Sequence, residues 1–87
     1  MFDKNQLCSI ICTCIEKGVP YDRWIDHSFN KNHVCSIVCA CIKKGIDYRE
    51  WTKKIEFDSD QVCAIICACI NRGIDYEKWF DDNMMFS

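Results

Sequence analysis

Several kinds of residue and segment are scarce in this sequence. Its 87 residues include one proline, three glycines and two histidines. The longest nearly apolar run, residues 7–15, is far shorter than the roughly 20 residues that a membrane-spanning helix needs. The first residues carry no basic cluster ahead of an apolar core, and no small-residue cleavage site follows. We therefore expect a cytoplasmic protein with no membrane span and no secretory signal.

The composition is that of one small folded domain. Hydrophobic residues make up 49% of the chain and charged residues 28%, a balance too apolar for a disordered protein. A chain of this length supports one modest core, which must pack densely to offset the entropy of the unfolded chain. We predict a single domain over residues 1–87.

The dominant feature is an internal repeat. Three similar segments begin at Cys8, Cys35 and Cys63, so their starts lie 27 and 28 residues apart. Their sequences are CSIICTCIEKGVPYDRW, CSIVCACIKKGIDYREW and CAIICACINRGIDYEKW. A regular period of this length is typical of stacked helical repeats. The repeats are predicted to cover residues 1–29, 30–57 and 58–87.

Each repeat begins with the signals of a long helix. A residue suited to the N-cap stands first, as Asp3, Asn30 and Asp58. Gln6 and Gln61 stand three residues later, as a capping box requires, whereas His33 replaces the glutamine in the middle repeat. The predicted helices are about 14 residues long and end at a glycine suited to a left-handed cap, namely Gly18, Gly45 and Gly73.

A tight turn and a short helix complete each repeat. The short helices are predicted to start at Pro20, Asp47 and Asp75 and to end at Trp24, Trp51 and Trp79. We favour packing of these tryptophans onto the long helices over a platform for nucleic-acid bases, because large aromatic side chains dominate small cores. No nucleic-acid partner is expected, since the net charge of −2 does not suit a phosphate backbone.

One repeat cannot bury its own apolar surface, so neighbouring repeats must stack. In the middle helix one broad face holds the apolar residues Val34, Ile37, Val38, Cys41 and Ile42. We predict an all-α fold: three tandem helix-turn-helix repeats stacked as a small right-handed α-solenoid or compact helical bundle. Small residues lie on the opposite side, either as a close-packing stripe or as a solvent face: Ser9, Thr13, Ser36, Ala40, Ala64 and Ala68.

Nine cysteines permit two hypotheses. Their odd number and the absence of an export signal favour reduced thiols. Packing as small buried hydrophobes is the favoured role, because Cys14, Cys41 and Cys69 fall among Ile and Val. The alternative is binding of Cu(I) or zinc through pairs spaced four residues apart on the helices, which are Cys8 with Cys12, Cys35 with Cys39, and Cys63 with Cys67.

No catalytic motif is evident, and we predict a protein that is not an enzyme. A cysteine nucleophile would need a neighbouring base, but His27 and His33 lie near a repeat junction or helix start without a partner motif. A glycine-rich phosphate loop is also missing from the sequence. No cofactor is predicted beyond the metal alternative.

The charges are unevenly distributed along the repeats. Residues 30–57 carry six basic and three acidic side chains, giving +3, whereas residues 58–87 carry two and six, giving −4. The predicted partner-binding residues include a basic group, Lys43, Lys44, Arg49 and Lys53, and an acidic group, Asp81 and Asp82. Opposed patches of this kind suit a protein partner, or a second copy of the chain, better than nucleic acid.

The C-terminal end of the stack is the second predicted contact region. Met85 and Phe86 follow the last repeat, and Phe86-Ser87 resembles the step from Phe to N-cap that opens each long helix. Exposed apolar surface of this kind marks a contact site more often than not. The segment around Met85 could either bind a partner or fold back over the third repeat.

The repeat also resembles a known family. Gly45, Ile46, Asp47 and Trp51, with Gly73, Ile74, Asp75 and Trp79, are similar to the turn and short helix of a tandem repeat in bacterial and phage-encoded proteins. Pro20 departs from that pattern, and the cysteines are not usual in it. The resemblance implies a scaffold without assigned chemistry. By analogy with small phage proteins, it implies a binding module in the host cytoplasm that inhibits a host defence protein.

Overall fold

The computed structural model describes residues 2–26, 28–52 and 55–79, and within these ranges the chain is helical with no β-strand. The predicted all-α class is confirmed. Four α-helices span Lys4–Lys17 (α1), Lys31–Lys44 (α2), Arg49–Thr52 (α3) and Ser59–Arg72 (α4), and 3₁₀ turns span Asp22–Trp24 and Glu77–Trp79. None of the described helices is long and apolar enough to cross a membrane.

The three long helices begin with the same capping box. In α1 the Asp3 side chain accepts a hydrogen bond from the Gln6 backbone N–H at 2.8 Å, and Gln6 Oε1 accepts one from the Asp3 N–H at 2.9 Å. The middle repeat completes the box with an imidazole, because His33 Nδ1 accepts from the Asn30 N–H at 3.3 Å. His33 is therefore a functional equivalent of the glutamines.

Each long helix ends at the predicted glycine. Gly45 has φ of +71°, a left-handed conformation that strains residues with a Cβ, and its N–H donates to the Ile42 carbonyl. The next N–H, of Ile46, donates to the Cys41 carbonyl at 2.9 Å. This turn reverses the chain and places the short helix beside the long one.

The short helices pack through aromatic rings. Asp47 accepts from the Arg49 N–H at 3.0 Å, and Asp75 accepts from the Glu77 N–H at 2.9 Å, so both aspartates cap their turns. Each tryptophan contacts the Phe that precedes the N-cap of its long helix, namely Trp24 with Phe2, Trp51 with Phe29 and Trp79 with Phe57. Trp51 also stacks on Tyr21, and Trp79 stacks on Tyr48, so both contact the short helix of the preceding repeat. The predicted structural role of the tryptophans agrees with this packing.

The core lies between the long helices, because α1 packs against α2 and α2 packs against α4. The positions of α1 and α2 that face the next long helix are called the forward face, and the name is kept for the equivalent positions of α4. They are Cys8, Ile11, Cys12 and Ile15 in α1, Cys35, Val38, Cys39 and Ile42 in α2, and Cys63, Ile66, Cys67 and Ile70 in α4. The positions of α2 and α4 that face the preceding long helix, with the equivalent positions of α1, are called the rear face: Leu7, Ile10, Thr13 and Cys14 in α1, Val34, Ile37, Ala40 and Cys41 in α2, and Val62, Ile65, Ala68 and Cys69 in α4. Both faces of α2 are buried or half-buried.

The small residues do not form one exposed stripe. Ser9, Thr13, Ser36 and Ala64 are exposed, as the solvent-face alternative requires, and Thr13 donates its hydroxyl hydrogen to the Ser9 carbonyl at 2.9 Å. The prediction that Ala40 and Ala68 lie opposite the core is wrong, because Ala40 belongs to the rear face of α2 and Ala68 to that of α4. Ala40 is half-buried and Ala68 is buried. The handedness of the stack and the single domain over residues 1–87 stay predictions.

Equivalent residues of the repeat differ in burial, and a matched pair of substitutions measures this difference. Ile42→Val should lower the free energy of unfolding by about 1 kcal/mol, because Ile42 is only 1% exposed. Ile70→Val should change it by less than about 0.5 kcal/mol, because Ile70 is 55% exposed. Urea unfolding in dilute solution provides the comparison, and equal losses for the two variants would contradict the stacking order.

Candidate protein-binding surfaces

The forward face of α4 is open in the described structure. Ile70 is 55% exposed, whereas its equivalents Ile15 and Ile42 are 2% and 1% exposed. Cys63 and Cys67 are also exposed, and Ile66 is half-buried. These four residues of α4 are called the terminal face. The terminal face has the composition of a core surface but lies at the outside of the described stack.

The rear face of α1 is the complementary open surface. Leu7, Ile10 and Cys14 are half-buried, whereas their equivalents in α2, namely Val34, Ile37 and Cys41, are buried. An open groove of about 400 Å³ runs beside Ile10 and is lined by Phe2, Asp3, Asn5, Gln6, Ser9 and Ile10. Leu7, Ile10 and Cys14, together with Gln6, are called the leading face.

Two polar contacts recur at both internal interfaces. The Cys8 thiol donates to the His33 carbonyl at 3.6 Å, and the Cys35 thiol donates to the Gln61 carbonyl at 3.7 Å. His33 Nε2 lies 2.6 Å from Asn5 Oδ1 and must donate, because Nδ1 already accepts from the Asn30 N–H. Gln61 Nε2 donates in the same way to Asn32 Oδ1. Each long helix therefore contacts the next one in the same register.

A groove beside α2 contains part of the predicted basic patch. Lys43 and Lys44 line this groove of about 670 Å³ together with Glu16 and Lys17. Its lining also includes the half-buried Cys12 and Cys39 and the small residues Ser36, Ala40 and Ala64. The lining of this groove therefore combines charges of both signs with small and apolar side chains.

The other predicted partner-binding residues do not line this groove or lie outside the described structure. Arg49 is exposed and pairs with Asp47 at 2.9 Å, and this carboxylate raises the pKa of the guanidinium. The predicted residues Lys53, Asp81, Asp82, Met85 and Phe86 lie outside the described residues, as does His27. The structure therefore brings together Lys43 and Lys44 from the predicted patch.

The cysteine pairs occupy different environments in the three repeats. Burial, with a smaller contribution from the thiol four residues earlier, raises the pKa of Cys12 and Cys39 to about 12. Burial also raises the pKa of Cys41 to about 11. These groups are thiols at neutral pH, and the thiolate that a metal or an electrophile requires is disfavoured.

The structure bears in two ways on the hypothesis of metal binding. Within residues 2–26, 28–52 and 55–79, no three His, Cys, Asp or Glu side chains are grouped as a metal ion requires. The thiols of Cys8 and Cys35 donate hydrogen bonds to backbone carbonyls of the next long helix. Cys63 and Cys67 are the exposed pair, and together they provide two thiols for a soft ion.

The sequence analysis missed Ile66, Ile70 and Ile10 as surface residues. Ile70 follows the same helical period as Ile42, so its hydrophobicity alone indicates a core position. The signal that distinguishes Ile70 from Ile42 is its place in the third of the three repeats. No protein-family model, curated protein or solved structure matches this chain, and the resemblance to the bacterial and phage repeat therefore stays a prediction.

The raised pKa of Cys39 predicts a dependence of stability on pH. An unfolded chain releases the thiol proton near the ordinary value of 9.0, whereas the native chain keeps it until about 12. Between these values the unfolded state binds fewer protons, so stability falls as pH rises. Tm is measured at about pH 8 and at about pH 10.5. The decrease in Tm between these two pH values should be smaller in Cys39→Ala than in the wild type, because the variant lacks this thiol.

The control is Ser36→Ala, which changes a small neighbouring side chain without removing a thiol and should keep the wild-type decrease. If Cys39→Ala loses as much Tm as this control over the same pH interval, the pKa of Cys39 is not raised in the native state.

A second prediction separates packing from metal binding. Cys39→Ala should lower the free energy of unfolding by about 1 kcal/mol, since it removes a half-buried sulfur from an interface. Native mass spectrometry of the protein mixed with Cu(I) or zinc should show no stoichiometric uptake that depends on Cys39. A bound ion in the wild type that disappears in Cys39→Ala would contradict the packing role, and Cys67→Ala tests the exposed pair in the same way.

Proposed function

We propose that this chain is a non-enzymatic protein-binding module that acts through the exposed ends of its helical stack. One observation carries the proposal. The terminal face consists of cysteine and isoleucine, as the forward faces of α1 and α2 largely do. Ile70 is nevertheless 55% exposed, whereas its equivalent Ile42 is 1% exposed. A side chain selected for burial gains free energy from any partner that removes it from water.

The energetic scale favours a binding role for the terminal face. Full burial of an isoleucine side chain stabilises a complex by about 2 kcal/mol. Ile70 lies in the last turn of α4, and Cys63 and Cys67 extend the exposed surface along the same helix. The 39% exposed Ile74 follows the C-cap Gly73. Exposed apolar surface of this kind is characteristic of contact sites in proteins.

The expected partner is a protein helix with small apolar side chains. At both internal interfaces the forward face contacts a helix whose rear face carries valine, isoleucine, alanine and cysteine. We infer that a protein bound at the end of the stack extends the same packing.

Two features support a role other than catalysis. His33 is engaged on both ring nitrogens, with the Asn30 N–H and with Asn5 Oδ1. Burial raises the pKa of Cys12 and Cys39, the opposite of what activates a thiol nucleophile. These features support packing as the role of Cys12 and Cys39 and capping as the role of His33.

Thiolate metal binding is the second candidate function. One observation favours it: Cys63 and Cys67 are both exposed and lie one helical turn apart, close enough for a hydrogen bond between their side chains. Such a pair suits Cu(I), which accepts two sulfur ligands. Inhibition of a host defence protein, which the family resemblance implies, likewise stays a prediction about the identity of the partner.

The proposed function is tested by Ile70→Glu and its control Ser36→Glu, which introduce the same charge at the terminal face and at an exposed site of the middle repeat. Each immobilised variant is exposed to a lysate of the source cell, and any retained protein, including a second copy of the chain, is purified and its Kd is measured. We expect Ile70→Glu to bind at least about tenfold more weakly than the wild type, because a buried charge is costly.

Ser36→Glu should bind as the wild type does. The proposal is wrong if both variants bind a purified partner with the same Kd, or if no protein, the chain itself included, binds with a measurable Kd.

A further inference from the structure

We propose that the terminal face of one molecule binds the leading face of a second copy, in the register by which α1 binds α2 and α2 binds α4. The chain then assembles head to tail. This inference rests on the proposed function, since it names the partner of the same surface. It follows from the contacts of the two internal interfaces.

The apolar surfaces are matched position by position. The terminal face differs from the forward face of α2 only by Ile66 in place of Val38. The rear face of α1 differs from that of α2 by Leu7 in place of Val34 and by Thr13 in place of Ala40. The changes at Ile66 and Leu7 each add a single methylene. A helix pair that differs from a packed interface by so little can adopt the same packing with small shifts.

The polar contacts are matched as well. Cys63 stands where Cys8 and Cys35 stand, so its thiol meets the backbone carbonyl of Gln6 in the second copy. Gln61 uses Oε1 for its own capping box and Nε2 for Asn32 of the preceding helix. Gln6 uses Oε1 in the same way, on the Asp3 N–H.

The acceptor for Gln6 is Asp60. Asp60 occupies the helical position of Asn5 and Asn32, which accept from His33 and Gln61 at the internal interfaces. A carboxylate at this position accepts a stronger hydrogen bond than an amide oxygen. The interface between copies therefore contains both polar contacts of the internal interfaces, with one of them charge-assisted.

One residue makes the contact between copies weaker than the internal ones. Thr13 occupies the rear-face position that holds Ala40 in α2 and Ala68 in α4. Its hydroxyl is hydrogen-bonded to the Ser9 carbonyl at 2.9 Å, so no unsatisfied donor is buried, but the added atoms separate the helices slightly. Association is therefore reversible and depends on protein concentration.

The symmetry of the assembly follows from the two different faces. A contact between a terminal face and a leading face is heterologous, so each bound copy offers another terminal face to the next one. Growth continues until a ring closes or the concentration limits it. A two-fold symmetric dimer, in which the same face meets itself, is not produced by this register.

The alternative occupant of the terminal face is residues 80–87 of the same chain, which include Met84, Met85 and Phe86 and lie outside the described residues. Such a lid would leave the protein monomeric and would cover Cys63 and Cys67 at every concentration. A second copy would cover them only as concentration rises. The two occupants thus differ in a measurable way.

The test uses two variants, each with one end blocked. Ile70→Glu blocks the terminal face, and Ile10→Glu blocks the leading face, with Ser36→Glu as the matched control. In sedimentation velocity the wild type and Ser36→Glu should form species larger than dimers as concentration rises. Each blocked variant alone should remain monomeric, with self-association weakened more than tenfold.

An equimolar mixture of the two blocked variants is the decisive sample. Ile10→Glu retains its terminal face and Ile70→Glu retains its leading face, so the mixture should form a heterodimer and nothing larger. Assembly of either blocked variant alone, or a mixture that stays monomeric while the wild type assembles, overturns the proposed register.

Alkylation of wild-type thiols gives a second measurement that does not require a variant to fold. The rates at Cys63 and Cys67 should fall as concentration rises, whereas the rate at the buried Cys41 stays low throughout. A monomeric wild type with concentration-independent rates overturns self-assembly. The proposed function then still holds if a different protein binds in an Ile70-dependent way, and both fail if no protein binds.

Discussion

The contact between a forward face and a rear face is the interaction on which the rest of this structure depends. A helix of 14 residues is marginal on its own, so each long helix is held by what covers its two apolar faces. Only α2 has both faces covered by neighbouring long helices within the described residues. The outer helices α1 and α4 of the described structure each expose one core-like face. The binding proposals follow from this difference in burial between α2 and the two outer helices.

The cysteines stabilise the contact between forward and rear faces in two ways: their side chains are small, and the S–H group is a weak hydrogen-bond donor. A thiol at Cys8 or Cys35 fits between closely packed helices and gives a second hydrogen bond to a carbonyl at the start of the next helix. Burial raises the pKa of Cys12 and Cys39, which keeps them neutral within the interface. The equivalent thiols of Cys63 and Cys67 are exposed, so a partner can contact them.

Local features of the fold were predictable from sequence, whereas features that depend on neighbours were not. The capping residues Asp3, Asn30 and Asp58 and the glycine at each helix end act within one turn, so the motif predicts them directly. The capping role of His33 depends on which ring nitrogen accepts. Ala68 and Ile70 depend on which repeat lies beside them, and helical periodicity does not distinguish a forward face from a rear face.

The most direct test of the central claim is an isotope-filtered NMR experiment on a mixture of ¹³C-labelled and unlabelled chains. The account predicts intermolecular contacts between the methyl groups of Ile66 or Ile70 in one copy and those of Leu7 or Ile10 in another, because these positions are equivalent to the packed faces of α1, α2 and α4. Contacts from Ile70 to Met84, Met85 or Phe86 within the same chain, with no contact between copies, would contradict it.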